Sequence, residues 1–482
     1  LTMAQLEQND PQVYSMIQKA DTIGVFQIES RAQMSMLPRL KPKDYYDLVI
    51  QVAIVRPGPI QGNMVHPYLK RRQGIDPVEY PSELVKGVLE RTLGVPIFQE
   101  QVIELAMVAA GFTPGEADLL RRAMASWRKK GELTRYQEKL RTGLLATGHS
   151  EQFSEQIIEQ INGFGEYGFP ESHAASFALL AYVSAWLKYY EPAAFCCALI
   201  NSQPMGFYSP SQLIQDAKRH QIEVRPIDIN HSEWDCTLET DTLSKQPAIR
   251  LGLRLINGLA KASAELITAE RKKSAFKNLQ DFNARIPLNR LHINALAKAD
   301  AFHSISGHRF QARWEVLGLE PDRPLVNHHT NTETKISLNS PTEDQSVLED
   351  YASTNLTLRT HPMALLRRRY TSLLKNCKTH ADLHQVRNRG FAVTAGIVTG
   401  RQRPGTQTGV VFMTLEDETG NTNVVVWSDL VSRYKREVVN GHFLRVKGTV
   451  EKKDGVLHFI AGHIEDLTEI MGDLETHSRD FH

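Results

Sequence analysis

Near residue 390 the hydrophobic period of this chain changes from about 3.6 to 2. A helix buries a stripe and a strand buries alternate residues, so the regions on either side need different cores. Beyond the switch, residues 391–400, 410–416, 422–427, 442–451 and 456–465 alternate like strands. Asp417-Glu418-Thr419-Gly420-Asn421 and Lys453-Asp454-Gly455 supply turns. Between the third and fourth runs, residues 429–438 return to helical spacing.

Five strands with a helix in that place follow the order of an OB-fold barrel; an unrelated small barrel or sandwich is the competing fold. Such barrels often stack single-stranded bases on aromatics within a basic groove. Phe412, Trp427, Tyr434 and Phe443 are the available aromatics, and each reads equally as core.

Residues 1 to about 240 read mostly as helices. Stretches 84–89, 101–110 and 153–161 carry apolar residues at three- and four-residue spacing, and Thr113-Pro114-Gly115-Glu116 has the form of a helix start. Residues 245–310 form a compact pair of short helical units. Residues 324–356, centred on Asn327-His328-His329-Thr330-Asn331-Thr332, hold too few large apolar side chains to order themselves and read as a linker. With 482 residues, the chain has room for about three domains. The expected fold class is multidomain: a mainly α region at 1–240, a helical-hairpin region at 241–310, a linker with connecting helices at 311–388, a β-barrel at 389–470 and a tail at 471–482.

Composition excludes several classes. The longest apolar run, 174–187, has 14 residues, whereas a membrane span needs roughly 20, so no membrane crossing is expected. The first residues, Leu1-Thr2-Met3-Ala4, start no basic-then-apolar export signal. Cys196, Cys197, Cys236 and Cys377 form no C-x-x-C pair, which points away from disulfides and zinc and toward a reducing cytoplasm.

The net charge of +1 hides local asymmetry. Residues 121–141 hold Arg121, Arg122, Arg128, Lys129, Lys130, Arg135, Lys139 and Arg141 against Glu132 and Glu138, and Arg56, Lys70, Arg71 and Arg72 form a second basic stretch. A polyanion site and a solvated helix face are equal readings of each run.

In the middle region, Leu255-Ile256-Asn257-Gly258-Leu259-Ala260-Lys261-Ala262-Ser263-Ala264 has the form of a helix ending at a glycine turn and restarting. Amides at such a restart can hold a phosphate without reading sequence; Gly258 and Lys261 are the candidates. Leu288-Asn289-Arg290-Leu291-His292 begins a second unit, with Arg290 as its cation. A purely structural helical hairpin is an equal reading.

The densest chemistry lies earlier. Arg56 sits at a Pro57-Gly58-Pro59 turn, Phe98-Gln99-Glu100-Gln101 precedes a helix, and Arg121-Arg122 presents adjacent guanidinium groups. Phe164-Gly165-Glu166-Tyr167-Gly168-Phe169-Pro170-Glu171-Ser172-His173 joins glycines, aromatics, a hydroxyl and an imidazole. Together they can hold a nucleoside triphosphate: guanidinium groups on phosphates, an aromatic against base or sugar, and Ser172 and His173 as hydrogen-bond partners. Singly, Arg56 reads as a loop ion pair, His173 as a helix-start cap and Tyr167 as core.

These stretches, with Gly24-Val25-Phe26-Gln27-Ile28-Glu29-Ser30-Arg31, resemble in content and order the bacterial C-family DNA polymerases, the family of the polymerase III alpha subunit. The resemblance covers nearly the whole chain and implies a fingers domain, helix-hairpin-helix units and an OB domain. Ser176-Phe177 and the ending Ser478-Arg479-Asp480-Phe481-His482 resemble the error-prone, translesion branch. By that resemblance Arg56, Arg121, Arg122, Tyr167, Ser172 and His173 bind the incoming dNTP, and Lys129, Lys130, Gly258, Lys261 and Arg290 contact primer-template DNA.

Polymerisation needs two divalent metals on carboxylates, typically an Asp-x-Asp pair. Asp228-Ile229-Asn230 lacks the second carboxylate, and Glu416-Asp417-Glu418 falls in the barrel turn as a solvated hairpin. The resemblance places the aspartates, and Mg2+, in a palm domain before Leu1, so no catalytic or metal residue is expected in this chain. The expected partners are DNA and accessory translesion proteins. Sliding-clamp contact is expected to be indirect, since Gln345-Ser346-Val347-Leu348-Glu349-Asp350-Tyr351 is too acidic for a clamp peptide. A non-catalytic DNA-binding module is the alternative.

Overall fold

The computed structural model describes residues 2, 5–7, 9–55, 65–125, 130–167, 170–206, 208–240, 245–319, 336–403, 409–453, 455–472 and 479–481, the side chains of 124–134 and 160–167 excepted. The chain divides into two compact units, essentially Leu1–Tyr190 and the residues from Glu191 onward.

The first unit is built around helix Tyr45–Ile54, buried at every position from Asp47 to Ile54. Helix Glu171–Tyr190 packs against it and buries Ala174, Ala178, Ala181 and Ala185. Spacings of four, three and four put these methyl groups on one face, where small side chains let two backbones come close. Among the described residues no helix is long and apolar enough to cross a membrane.

Polar interlocks hold the surrounding helices. Helix Pro11–Gln18 starts at Asp10, whose Oδ1 accepts from the Gln12 amide at 2.7 Å. The Tyr182 hydroxyl accepts from the Asp10 amide at 3.1 Å and donates to the Glu7 carbonyl. The segments expected to be helical at 84–89, 101–110 and 153–161 lie in helices Glu83–Leu89, Gln99–Ala110 and Glu151–Tyr167. Pro114 opens helix Pro114–Ala125, with Thr113 and Glu116 exchanging hydrogen bonds at its start.

The second unit begins with helices Pro192–Asn201 and Pro210–Arg219. A three-stranded sheet missed by the helical reading follows: β1 Val224–Arg225, β2 Thr237–Glu239 and β3 Ala248–Arg250, in the order β1-β3-β2. Two or three residues are too few to show a period, and much of the sheet is held by Arg225 and Arg250, each 2.8 Å from Glu239. Helices Lys261–Lys273, Leu279–Arg285, Arg290–Lys298 and Arg309–Leu317 then bury Ile267, Phe282, Leu296 and Ala312.

The linker reading needs correction. Its centre lies outside the described residues, but within it Glu343–Thr354 is a helix, opened by reciprocal bonds between Thr342 and Gln345. Asp350 pairs with the buried Arg309 and accepts from Thr357 Oγ1 at 2.7 Å. Val347 joins an apolar cluster with Met363 and Phe443, against which Leu348 and Tyr351 pack, so a few apolar side chains and this ion pairing order the helix.

The barrel consists of β4 Phe391–Gln402, β5 Val411–Asp417, β6 Gly420–Val426, β7 Phe443–Lys453 and β8 Val456–Asp466. The order β5-β6-β8-β7-β4 closes through a β4–β5 pairing. β4 pairs antiparallel with both β5 and β7 and bulges between Val398 and Gly400, as barrel closure requires. At Gly448 a Cβ would lie 2.1 Å from the Ile460 carbonyl oxygen, so only glycine lets β7 and β8 approach this closely. Leu444, Val446, Val450 and Phe459 are fully buried inside. The helical stretch at 429–438 breaks at Tyr434 into Ser428–Arg433 and Lys435–Asn440. β9 Arg479–Phe481 adds a parallel strand to the end of β4.

Candidate nucleotide and nucleic-acid interface

In the first unit, four separate segments meet at the first turns of helix Glu171–Tyr190. The Glu171 amide donates to Glu100 Oε2 at 3.0 Å, which joins the Phe98-Gln99-Glu100-Gln101 segment to the Ser172-His173 passage. The Glu171 carboxylate accepts from the Tyr46 hydroxyl at 2.9 Å and lies 3.4 Å from Arg91. The Arg91 guanidinium stacks 3.8 Å from the Tyr46 ring centre. Burial, then the bond to Glu171, pushes the Tyr46 hydroxyl well above its ordinary range. On the same helix His173 lies 4.1 Å from the Phe177 ring, and Phe177 meets Phe26 edge-on at 5.2 Å. Phe26 brings in the segment 24–31.

Gln101 fixes this geometry from below. Its Oε1 accepts from the Ile97 and Phe98 amides at 2.8 and 3.1 Å, and its Nε2 donates to Thr92 Oγ1 at 2.8 Å and the Val88 carbonyl at 3.2 Å. It is structural, and it leaves Glu100 exposed beside the helix start.

The segment 24–31 is held by Lys188, 2% exposed, whose Nζ donates to the Ile23 carbonyl at 3.0 Å and pairs with Asp21 at 3.2 Å. Burial pushes the nearby Glu29 carboxyl up to about 7, against smaller opposing effects from the Gly24 backbone and Lys188.

The candidate site residues fall in several places. Ser172 and His173 lie exposed in the first turn of helix Glu171–Tyr190. Tyr167 ends helix Glu151–Tyr167 and Lys130 begins helix Lys130–Ala146. Arg56 and Lys129 lie outside the described residues. Arg121 and Arg122 share one partner, Asp118, at 2.9 and 2.8 Å. All three side chains are exposed, so the pairing is weak and gives way to a stronger anion.

The second basic stretch is a correction. Arg72 holds Asp47 with two nitrogens at 2.6 and 2.5 Å and donates to the Leu40 carbonyl, while Arg71 donates to the Leu93 carbonyl at 2.7 Å. These guanidinium groups join helices and do not present a polyanion surface.

In the second unit Gly258 takes φ +81° at the expected turn, and a Cβ there would meet nothing. Lys261 opens helix Lys261–Lys273, exposed, after an Ala260 that supplies no capping side chain. Arg290 opens helix Arg290–Lys298 but donates to the Leu319 carbonyl at 2.8 Å.

On the barrel Phe443 is fully buried, Phe412 is half-buried, and Tyr434 bonds His463 Nδ1 at 2.6 Å. Trp427 is 54% exposed, and exposed Arg433, Lys435 and Arg436 follow it. Trp427 is thus the one of these four aromatics placed as a stacking surface.

The reading of Glu416-Asp417-Glu418 as solvated is also corrected. Glu416 is buried with His361 Nε2 at 3.1 Å, and Glu418 pairs with Arg367 at 2.6 Å. Asp417 Oδ1 accepts from the Thr419 amide and hydroxyl and the Gly420 amide, and its Oδ2 accepts from the His380 amide. Asp228 accepts from the Asn230 amide at 2.7 Å and Ser304 Oγ at 3.0 Å. Carboxylates committed in this way to protein donors do not fit a hard divalent ion.

Residues 1–148 match the model of the bacterial DNA polymerase III alpha subunit finger domain, 221–312 a helix-hairpin-helix motif, and 392–467 an OB-fold nucleic acid binding domain. All of this chain is 55% identical to 47% of a protein from Methylococcus capsulatus named error-prone DNA polymerase. Proteins of the same name from Alkalilimnicola ehrlichii and Vibrio parahaemolyticus are 53% and 54% identical, over 100% and 98% of this chain and 47% and 46% of their own length. The chain therefore spans about half the length of these relatives. By the finger-domain match and the similarity along its whole length, the chain matches part of the bacterial polymerase III alpha-like proteins named error-prone DNA polymerase.

Proposed function

We propose that this chain is the nucleotide- and DNA-handling part of an error-prone, DNA-directed DNA polymerase that extends primers across damaged template in the cytoplasm. The observation that carries the reading is the meeting of Phe26, Tyr46, Arg91, Glu100, Glu171 and His173 around one helix start. An aromatic-rich corner with the exposed Ser172 hydroxyl and His173 imidazole suits a base and sugar, and the Arg121 and Arg122 side chains, 43% and 69% exposed, suit phosphates. Arg56, Tyr167, Ser172 and His173 line the nucleotide pocket in this reading. Lys129, Lys130, Gly258, Lys261 and Arg290 hold primer-template backbone, with the barrel on single-stranded template.

Mg2+ belongs in this proposal to carboxylates elsewhere in the polymerase. Accessory translesion proteins recruit the enzyme and the sliding clamp is reached through them. The glutamine-led string at 345–351 is helical, with Gln345 engaged in a cap, so it offers no extended peptide.

Fluorescence anisotropy on primer-template, duplex and single-stranded DNA across a salt series tests the reading. Preference for the junction, tightened by the next correct dNTP and lost in Arg121→Ala/Arg122→Ala, is the expected result. Binding indifferent to junction and nucleotide would instead make the chain a non-catalytic DNA-binding module.

A further inference from the structure

We propose that His380 and His384 form a binding site for a transition-metal dication of the zinc class, with two protein ligands and the remaining positions open to water. The residues stand four apart at the helical turn His380–Leu383, with ring centres 4.9 Å apart and nearly perpendicular. Their Nε2 atoms face each other at 3.3 Å. Two imidazole nitrogens at about 2.0–2.1 Å from a tetrahedral zinc are separated by about 3.3 Å. Two bare lone pairs repel at that distance, so the pair must share either a proton or a cation.

The surroundings admit the cation. The His380 ring is wedged against Gly420, where an added Cβ would lie 2.6 Å from Cδ2. Thr422 Oγ1 lies 3.3 Å from His380 Nδ1; when it accepts from Nδ1–H, the lone pair is left on Nε2, the arrangement that orients metal-bound imidazoles. Arg219 and Asp417 lie near the His380 ring with opposite charge. His384 is exposed, and its carbonyl accepts from Lys452 Nζ, which anchors the backbone while its ring turns toward a shared ion. Imidazole ligands select Zn2+, Cu2+ or Ni2+, whereas Mg2+ wants oxygen.

The site differs in place and chemistry from any magnesium centre of polymerisation and does not depend on the proposed function. A Zn2+ titration of the untagged 482-residue chain, followed by imidazole 15N resonances, tests it. One equivalent is expected to move the His380 and His384 Nε2 signals together, and Mg2+ to move neither. His384→Ala is expected to weaken the event about ten-fold or more, and Thr422→Val to weaken it by a smaller factor. Both variants should keep the metal-free unfolding temperature close to that of the parent, His384 being exposed and Thr422→Val nearly isosteric. Unmoved His380 and His384 signals while other histidines respond, or unchanged affinity in His384→Ala and His384→Gln, would overturn the proposal.

Discussion

The first unit, called the fingers unit after the match over residues 1–148, and the barrel solve the same problem with different materials. The barrel closes over valine, leucine and phenylalanine alternating along five strands. The fingers unit has an apolar centre too, but its outer helices are fastened by a few polar side chains: Lys188 to Asp21, Arg72 to Asp47, Tyr182 to Glu7 and Asp10, and Gln101 to four groups. An apolar core degrades gradually when trimmed, whereas a buried ion whose partner is lost leaves an uncompensated charge. The two regions should therefore fail differently.

The largest effect is expected at Lys188. Lys188→Ala removes a buried side chain, the cation beside the partly exposed Asp21 and the donor to the Ile23 carbonyl, and should cost the fingers unit about 2–4 kcal/mol, read by urea unfolding with hydrogen exchange assigned to helix Tyr45–Ile54. Barrel amides should keep their protection. If they lose it equally, the two regions are not independent. The converse test is Gly448→Val, whose side chain runs into the Ile460 carbonyl. It should destabilise the barrel by about 2–3 kcal/mol and leave the fingers helices protected.

Glu29 sharpens the contrast through pH. A carboxyl that titrates at about 7 when folded, against about 4.5 unfolded, binds more protons in the folded state between those values. Its contribution is full below about pH 4.5 and is lost as pH rises through 7. Glu29→Gln should flatten that slope by about 1–2 kcal/mol between pH 5 and 8. A slope unchanged in the variant would assign it to other groups. The smallest effect is expected at Thr342→Ala, which removes one cap of helix Glu343–Thr354 for about 1 kcal/mol by thermal melting.

The same contrast explains what the sequence discloses. Alternation is local, so the five strands and their turns are readable without a structure, whereas the break at Tyr434 and the short added strand β9 escape. Interlocks are not local. Tyr46 meets Glu171 across 125 positions and Arg91 meets it across 80, and neither residue carries a signal of its own in the chain. Glu416, Asp417 and Glu418 look like a wet hairpin because nothing nearby announces His361, Arg367 and His380. The helix inside the expected linker is a different miss: Thr342-Glu343-Asp344-Gln345 is a readable capping signature, outweighed by the polar composition around it. Trp427 and Phe443 show the limit for single aromatics, since both lie at the barrel and only packing separates surface from core.

One consequence concerns motion. Helix Glu171–Tyr190 has 20 residues, so about 30 Å separates the end near Lys188 from the turn that holds Glu171. It rests on an alanine face, which has no rotamers to absorb a displacement. A rod on such a bearing behaves as a lever: one degree of tilt at the lysine end sweeps the far turn by about 0.5 Å. That is comparable to the tolerance within which a site must hold its groups. Buried Lys188 at one end of this rod and exposed His173 at the other are thereby joined through a single stiff element.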